Sequence, residues 1–263
     1  MRSGISGIAR AIAEEEASGR LRIGQGAIVY HRNWKRHPFL TLADMPRTGD
    51  DLGRFYLAYR SGITLFGMHG SFIVVRNDVE KSVGFDFGPA GSITEDAYWA
   101  LCAMQQGYRS RWVDGFLEEQ STQGIMDFLK QRRRWFQGIV KVCVLAPVKL
   151  RWRATFGIST MLWALAPLGM AYTLGHLIVG GGVSPAVKML ADVALAGCVT
   201  IQFVGLRVNL TEHGITSHAR RCMWYLLSLA SIPLAALMEA ASVGYALVRP
   251  ASGFHVVSKS EEA

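Results

Sequence analysis

The sequence predicts an α/β region followed by apolar helices in or at a membrane. Three observations carry this. Short β-rich runs alternate with amphipathic stretches over residues 1–150, the pattern of helices layered on a sheet. Three long apolar segments follow, at about 154–180, 186–206 and 222–248, each long enough to cross a bilayer or lie along it. Basic residues gather at the edges of those segments: Lys130, Arg132, Arg133, Arg134, Lys141, Lys149, Arg151 and Arg153, then Arg207, Arg220 and Arg221. Residues 1–150 therefore read as a cytosolic α/β domain or part of one, 151–249 as a membrane region, and 250–263 as a cytoplasmic tail.

The elements follow in order. Residues 5–17 read as an amphipathic helix, with Glu14, Glu15 and Glu16 as a solvated face; the opening is too polar for a signal sequence. Gly24 to His31 is a strand entered through glycines. Asn33 to Met45 is helical in part, and Arg47-Thr-Gly-Asp-Asp51 is a turn by composition. A helix is expected over Leu52 to Ser61, a buried strand over Phe72 to Arg76, and a turn or short helix over Asn77 to Gly84. Glu95 to Gln106 reads as a helix, Tyr108 to Val113 as a strand, and Thr122 to Gln137 as a helix. No Asp, Glu, Lys or Arg occurs from Ala154 to Val187. The second apolar segment carries Asp192 one turn after Lys188, and the third carries Pro233 and Glu239. Ionisable groups in such segments face protein or water. Pro233 predicts a kink, or a break into a re-entrant pair. A re-entrant third segment keeps the tail in the cytoplasm; a third crossing puts it outside.

Composition excludes several classes. The net charge is +8, but the bases flank apolar spans, which fits a cytoplasmic membrane face better than nucleic acid. The cysteines, Cys102, Cys143, Cys198 and Cys222, have no CxxC spacing, which argues against a disulfide framework or a zinc site.

Two stretches carry chemistry. On a helix, Gln131, Arg134 and Trp135 share one face. They present an amide, a guanidinium fork and a flat indole, suited to a sugar and a diphosphate. The same run also reads as a basic helix touching lipid headgroups. The second stretch is Gly91-Ser-Ile-Thr-Glu-Asp96. Ser92 and Glu95 fit a helix capping box, and structure alone would explain them. The chemical reading makes a carboxylate at a helix start the general base for an attacking hydroxyl.

Thr94-Glu95-Asp96 followed by Gln131-x-x-Arg134-Trp135 before apolar spans resembles the inverting family 2 glycosyltransferases, which include the cellulose, chitin and hyaluronan synthases. The resemblance implies the C-terminal part of a GT-A (Rossmann-like) domain followed by transmembrane or interfacial helices. It implies Asp96 as catalytic base, with Glu95 helping to place it. Trp135 would stack on the acceptor, with Gln131 and Arg134 near the nucleotide diphosphate. Phe254-His-Val-Val-Ser-Lys259 resembles the gating loop of that family, with Val257 where Thr is usual, and would fold over the nucleotide; a disordered polar tail explains the same residues equally well.

Within the family, Gly24 to Tyr30, Thr41 to Asp44, Gly70-Ser71, and Ile232-Pro233 with Glu239 are similar to the egghead-type β-1,4-mannosyltransferases. That likeness implies a multi-pass membrane protein with a cytoplasmic catalytic domain. A hexose would pass from a nucleotide sugar (GDP-mannose or UDP-hexose) to a lipid-linked or glycan acceptor. His69, Gly70 and Ser71 would line the acceptor pocket. It also implies a divalent cation, Mg or Mn, held by an acidic motif that precedes the stretch matching Ser3 to Ile12. Asp50-Asp51 and Glu14 to Glu16 are poor substitutes for that motif. The expectation is a chain without the usual donor and metal ligands: a fragment, a mis-started reading frame or a degenerate copy. A non-catalytic partner subunit remains the alternative function, and a small transporter, suggested by Asp192 and Glu239, a third.

Overall fold

The computed structural model describes residues 4–20, 22–30, 37–84, 93–180 and 184–249, apart from the side chains of residues 168, 171 and 174. Its elements are α1 (Gly4–Ser18), β1 (Arg22–Tyr30), α2 (Pro38–Asp50), a π-helical turn (Asp51–Phe55), α3 (Tyr56–Arg60), β2 (Ile73–Val74), α4 (Asn77–Val83), α5 (Glu95–Gln105), β3 (Arg109–Glu119), α6 (Ile125–Leu145), α7 (Leu150–Val179), α8 (Pro185–Glu212) and α9 (His218–Val248). The chain divides into two compact units. One holds Met1–Val29, Asp50–Glu119 and Gln137–Ser159; the other holds Tyr30–Gly49, Gln120–Phe136 and Thr160–Ala263.

The first unit is built on a small mixed α/β arrangement. Its sheet has the order β2-β1-β3, with β1 antiparallel to β2 and Gly24 opposite Val74. Helix α1 lies against β3 through Gly4, Gly7 and Ala11, a stripe of small residues. A Cβ on Gly7 would stand 1.6 Å from the Asp114 carbonyl oxygen, so the helix backbone touches the strand. The predicted solvated face holds for Glu14 and Glu16, which are exposed, and is corrected for Glu15. Glu15 is buried, 2.6 Å from Arg22 and 2.9 Å from Arg111, and Glu14 is 2.6 Å from Arg111. Arg111 stands on β3, so Glu14 and Glu15 are pinned to the sheet by charge.

Helix α5 forms the middle of this unit. Trp99, Ala100 and Ala103 pack with Ile23, Phe55, Tyr59, Met68 and Val79. Ala97, Tyr98, Leu101 and Cys102 pack instead with Val142, Ala146, Val148 and Phe156. A helix apolar around its circumference is buried on all sides. Fully burying a side chain of Trp99's size contributes about 2–3 kcal/mol.

The second unit is helical. Gly49 of α2 lies against the Ile201 carbonyl of α8, and Gly205 of α8 against the Met45 carbonyl of α2. Side chains at either place would force the two backbones apart. This explains why Arg47 to Asp51 is not the predicted turn: Gly49 is a contact glycine, and α2 runs through it into the π-helical turn. Pro46 leaves the Leu42 carbonyl without its usual helical donor. Gln202 Nε2 of α8 donates to that oxygen at 3.0 Å, and to Ser228 Oγ of α9 at 2.8 Å. Asn209 of α8 donates to Thr48 Oγ1 at 3.0 Å and accepts from the Tyr30 N–H at 2.7 Å.

All three predicted apolar segments are helical. Among the described residues, Pro185–Glu212 and His218–Val248 are long and apolar enough to cross a membrane, with mean hydropathies of 1.8 and 1.7 over their most apolar windows. Only 22% and 33% of those windows are buried, so most of their surface is not covered by the rest of the chain. The break expected at Pro233 does not occur, and α9 is one continuous helical element. Lys188 and Asp192 pair at 2.6 Å along α8, and both are exposed.

Candidate functional site

The first unit brings together Asp96 and Gly70. Helix α5 starts at Glu95 with Thr94 as its cap residue. The expected capping box is displaced by two residues, Thr94 makes no side-chain cap bond, and Ser92 lies outside the described residues. Both carboxylate oxygens of Asp96 are engaged. Oδ2 accepts the Gly70 N–H at 3.0 Å, and Oδ1 accepts the Ala97 N–H at 2.7 Å. Asp96 and Glu95 are half-buried, and Gly70 and Ser71 are exposed. Each Asp96 oxygen retains lone-pair capacity for an incoming hydroxyl.

The loop that brings Gly70 to Asp96 is held along its length. Gly67 has φ +79°, a left-handed conformation that glycine adopts without strain. Its carbonyl accepts the buried Tyr59 hydroxyl at 3.0 Å. Burial pushes the Tyr59 phenol well above its ordinary range, and the negative fields of Asp96 and Asp51 push it further. The His69 N–H donates to Gln25 Oε1 at 2.9 Å. The His69 ring lies 4.2 Å, centroid to centroid, from that of Phe55. His69 Nδ1 is 2.8 Å from Asp51 Oδ1, close for an ion pair but not aligned as a hydrogen bond. Asp51 is fully buried, and its Oδ2 accepts the Ile28 N–H at 3.1 Å. The Ser71 hydroxyl donates to Glu119 Oε2 at 3.0 Å. The backbone of His69 to Ser71 thus borders Asp96, while the side chains of His69 and Ser71 turn to Asp51 and Glu119.

A second support comes from α6. A Cβ on Gly138 would lie 2.4 Å from the Thr94 side chain, so the start of α5 rests on α6 without clearance.

The second unit holds the other motif. Gln131, Arg134 and Trp135 stand on α6 and are half-buried. Between Gln131 and Trp135 in space is Arg132, which is only 2% exposed. Its Nη2 donates to Asp44 Oδ1 of α2, and its Nε donates to Glu239 Oε1 of α9 at 2.8 Å. Its Nη1 donates to Gln131 Oε1 at 3.1 Å. Its guanidinium lies 4.2 Å from the Trp135 ring centroid, and that of Arg47 lies 4.7 Å from it. Burial opposes the charge of Arg132, but Glu239 and Asp44 outweigh burial and hold its pKa above the ordinary value. Leu40, Ala43, Phe128 and Met238 form a buried apolar cluster, and its Phe128 ring lies 4.4 Å from the Arg132 guanidinium. Arg133 lies over Tyr245 at 4.3 Å.

Gln25, Asp51, Arg132 and Gly138 were missed as support for the predicted residues. Gln25 had a signal, an amide inside a glycine-rich strand, as did Arg132, since an acid in an apolar helix such as Glu239 requires a cation. Asp51 was hidden by a composition that reads as a turn. Phe254 and Lys259 of the expected gating motif lie outside the described residues.

A half-buried carboxylate held at a helix start by two backbone N–H groups is placed to take a proton from a hydroxyl. The chain belongs to the glycosyl transferase family group 2, whose sequence profile matches residues 7–248. It is 30% identical over 247 residues to "Beta-1,4-mannosyltransferase bre-3" of Caenorhabditis elegans, covering 92% of this chain and 53% of that protein. The Caenorhabditis briggsae protein of the same name matches to the same extent. "Beta-1,4-mannosyltransferase egh" of Drosophila melanogaster is 36% identical over 160 residues, covering 60% of this chain and 35% of that protein. The chain spans about half the length, or less, of these relatives.

Divalent cations are common in this family. Among the described residues, no three of His, Cys, Asp and Glu converge to hold one. His69 with Asp51 is a pair only. These residues do not fit a metal, and no step below runs through one.

Proposed function

We propose that this chain forms the acceptor side of a membrane-associated, inverting β-1,4-mannosyltransferase. Asp96 is the general base. It takes the proton of an acceptor hydroxyl as that oxygen bonds to the anomeric carbon of a nucleotide sugar. The bond from that carbon to the diphosphate breaks, the nucleoside diphosphate leaves, and the configuration inverts. The observation that carries this reading is the engagement of Asp96 by the Gly70 and Ala97 N–H groups. Two backbone donors fix the carboxylate while a half-buried position leaves it open to an acceptor. Trp135 stacks on the acceptor sugar, and Gln131 with Arg134 serves the diphosphate. His69, Gly70 and Ser71 border the acceptor. The catalytic part, 1–150, faces the cytoplasm, and the helices of 151–249 meet the membrane with a lipid-linked acceptor beside them.

The relatives' names support mannose as the transferred sugar, and GDP-mannose is proposed over UDP-hexose. The test supplies membranes carrying the native protein with each labelled sugar nucleotide and a glucosyl lipid. The expected product is a β-1,4-linked mannosyl lipid from GDP-mannose alone. Transfer from a UDP-hexose would overturn the donor assignment, and no transfer from either would overturn the activity.

A further inference from the structure

Arginine runs before apolar helices read as lipid- or phosphate-binding, but Arg132 is buried away from either. Both of its flanks are occupied by acids from other helices, Asp44 of α2 and Glu239 of α9. Its Nη1 donates to Gln131, and its planar face meets Trp135 and Phe128, whose ring centroids are 4.2 Å and 4.4 Å away. Two members of the predicted substrate group therefore rest on one guanidinium, itself fixed from two further helices. Only a planar fork satisfies all of these contacts together: a lysine ammonium would keep the charge but lose the stacking and the divergent donors.

We infer that Arg132 is a positioning residue, which sets the Gln131 amide and the Trp135 ring for acceptor binding while touching no substrate itself. This rests on the reading of Trp135 and Gln131 as substrate contacts. It adds that α2 and α9, through Asp44 and Glu239, govern acceptor affinity.

The test compares wild type, Arg132→Lys, Trp135→Ala and the double variant as native proteins in membranes, with acceptor and sugar nucleotide varied separately. Arg132→Lys is expected to raise the acceptor KM about tenfold with a smaller change in kcat. The double variant is expected to be no worse than Trp135→Ala alone, because both changes act on one contact. A fall in kcat with unchanged acceptor KM, or additive effects in the double variant, would overturn the inference. Glu239→Gln, which keeps side-chain size, is expected to raise the acceptor KM in the same direction, and an unchanged KM would count against the proposal.

A second readout needs no turnover. Oxidative labelling of tryptophans, read by mass spectrometry, is expected to rise at Trp135 in Arg132→Lys and stay unchanged at the fully buried Trp99. Unchanged labelling at Trp135 would overturn the positioning role whether or not the protein transfers sugar. A wild type that transfers no sugar, but whose Trp135 labelling rises in Arg132→Lys, would overturn the transferase reading and leave the positioning of Trp135 supported.

Discussion

Asp96 and Arg132 are both charged, and each lies in or beside a predicted motif, yet the chain holds them in opposite ways. Asp96 is half-buried and takes its hydrogen bonds from main-chain N–H groups of Gly70 and Ala97. Arg132 is buried and takes its partners from side chains on two other helices. A group held by backbone N–H donors can take up a proton with little loss of support, because both oxygens of a neutral carboxyl keep lone pairs for the N–H groups. A group held by buried counter-charges cannot, since its removal strands the partners in a low dielectric. The first arrangement suits a group that exchanges a proton, the second a group that must not move.

This contrast predicts a wide gap in stability. Arg132→Ala is expected to destabilise the protein by about 3–5 kcal/mol, because it leaves Asp44 and Glu239 buried without their cation. Asp96→Asn is expected to cost less, about 1 kcal/mol, because its amide oxygen keeps one of the two N–H bonds and the other N–H lies where water reaches. Denaturant midpoints in detergent measure both, and equal losses would erase the distinction.

The next effect tests backbone contact in the first unit. Gly7→Ala is expected to cost about 1–3 kcal/mol through overpacking, because the new Cβ meets the Asp114 carbonyl. Gly53, which has open space around the same atom and no left-handed φ, serves as the control. Gly138→Ala is expected to be a smaller change in stability with a clear change in activity. Its Cβ presses on Thr94, which would displace the start of α5 and with it Asp96, and displacements near 1 Å can slow reactions about a hundredfold. Full activity in Gly138→Ala would show that α6 does not set the base.

How much of this was legible in the sequence depended on whether a residue's role was local. Helix α5 and the alternation around it were readable because apolar residues crowd Ala97 to Ala103 whichever partner covers them. The Thr94-Glu95-Asp96 start was readable because acids at a helix start follow a local rule. Arg47 to Asp51 was misread because glycine and aspartate signal turns locally, while here Gly49 lies against the Ile201 carbonyl and Asp51 accepts from Ile28. Pro46 was equally opaque: its orphaned carbonyl at Leu42 is satisfied by Gln202, 160 residues away in sequence. Glu15 was assigned to solvent because nothing near it in the chain signals Arg111. Side chains whose partners are remote in sequence are the ones that composition cannot place.

A smaller effect separates the cysteines. Burial pushes the Cys102 thiol up to about 11, while Cys222 is exposed. Thiolate is the reactive form, so iodoacetamide at pH 8 is expected to leave Cys102 unlabelled until the protein is denatured. Labelling of Cys102 in the native state would contradict the packing of α5 between its two clusters.

The most direct test of the central claim, that Asp96 is the base, is sugar transfer by Asp96→Asn in the native protein, measured beside nucleotide-sugar binding. The amide keeps the size of the carboxylate and removes its capacity to take a proton. Transfer is expected to fall by a factor of at least about a hundred, on the order of a lost general base, with nucleotide-sugar affinity unchanged. Transfer at the wild-type rate by Asp96→Asn would contradict the assignment.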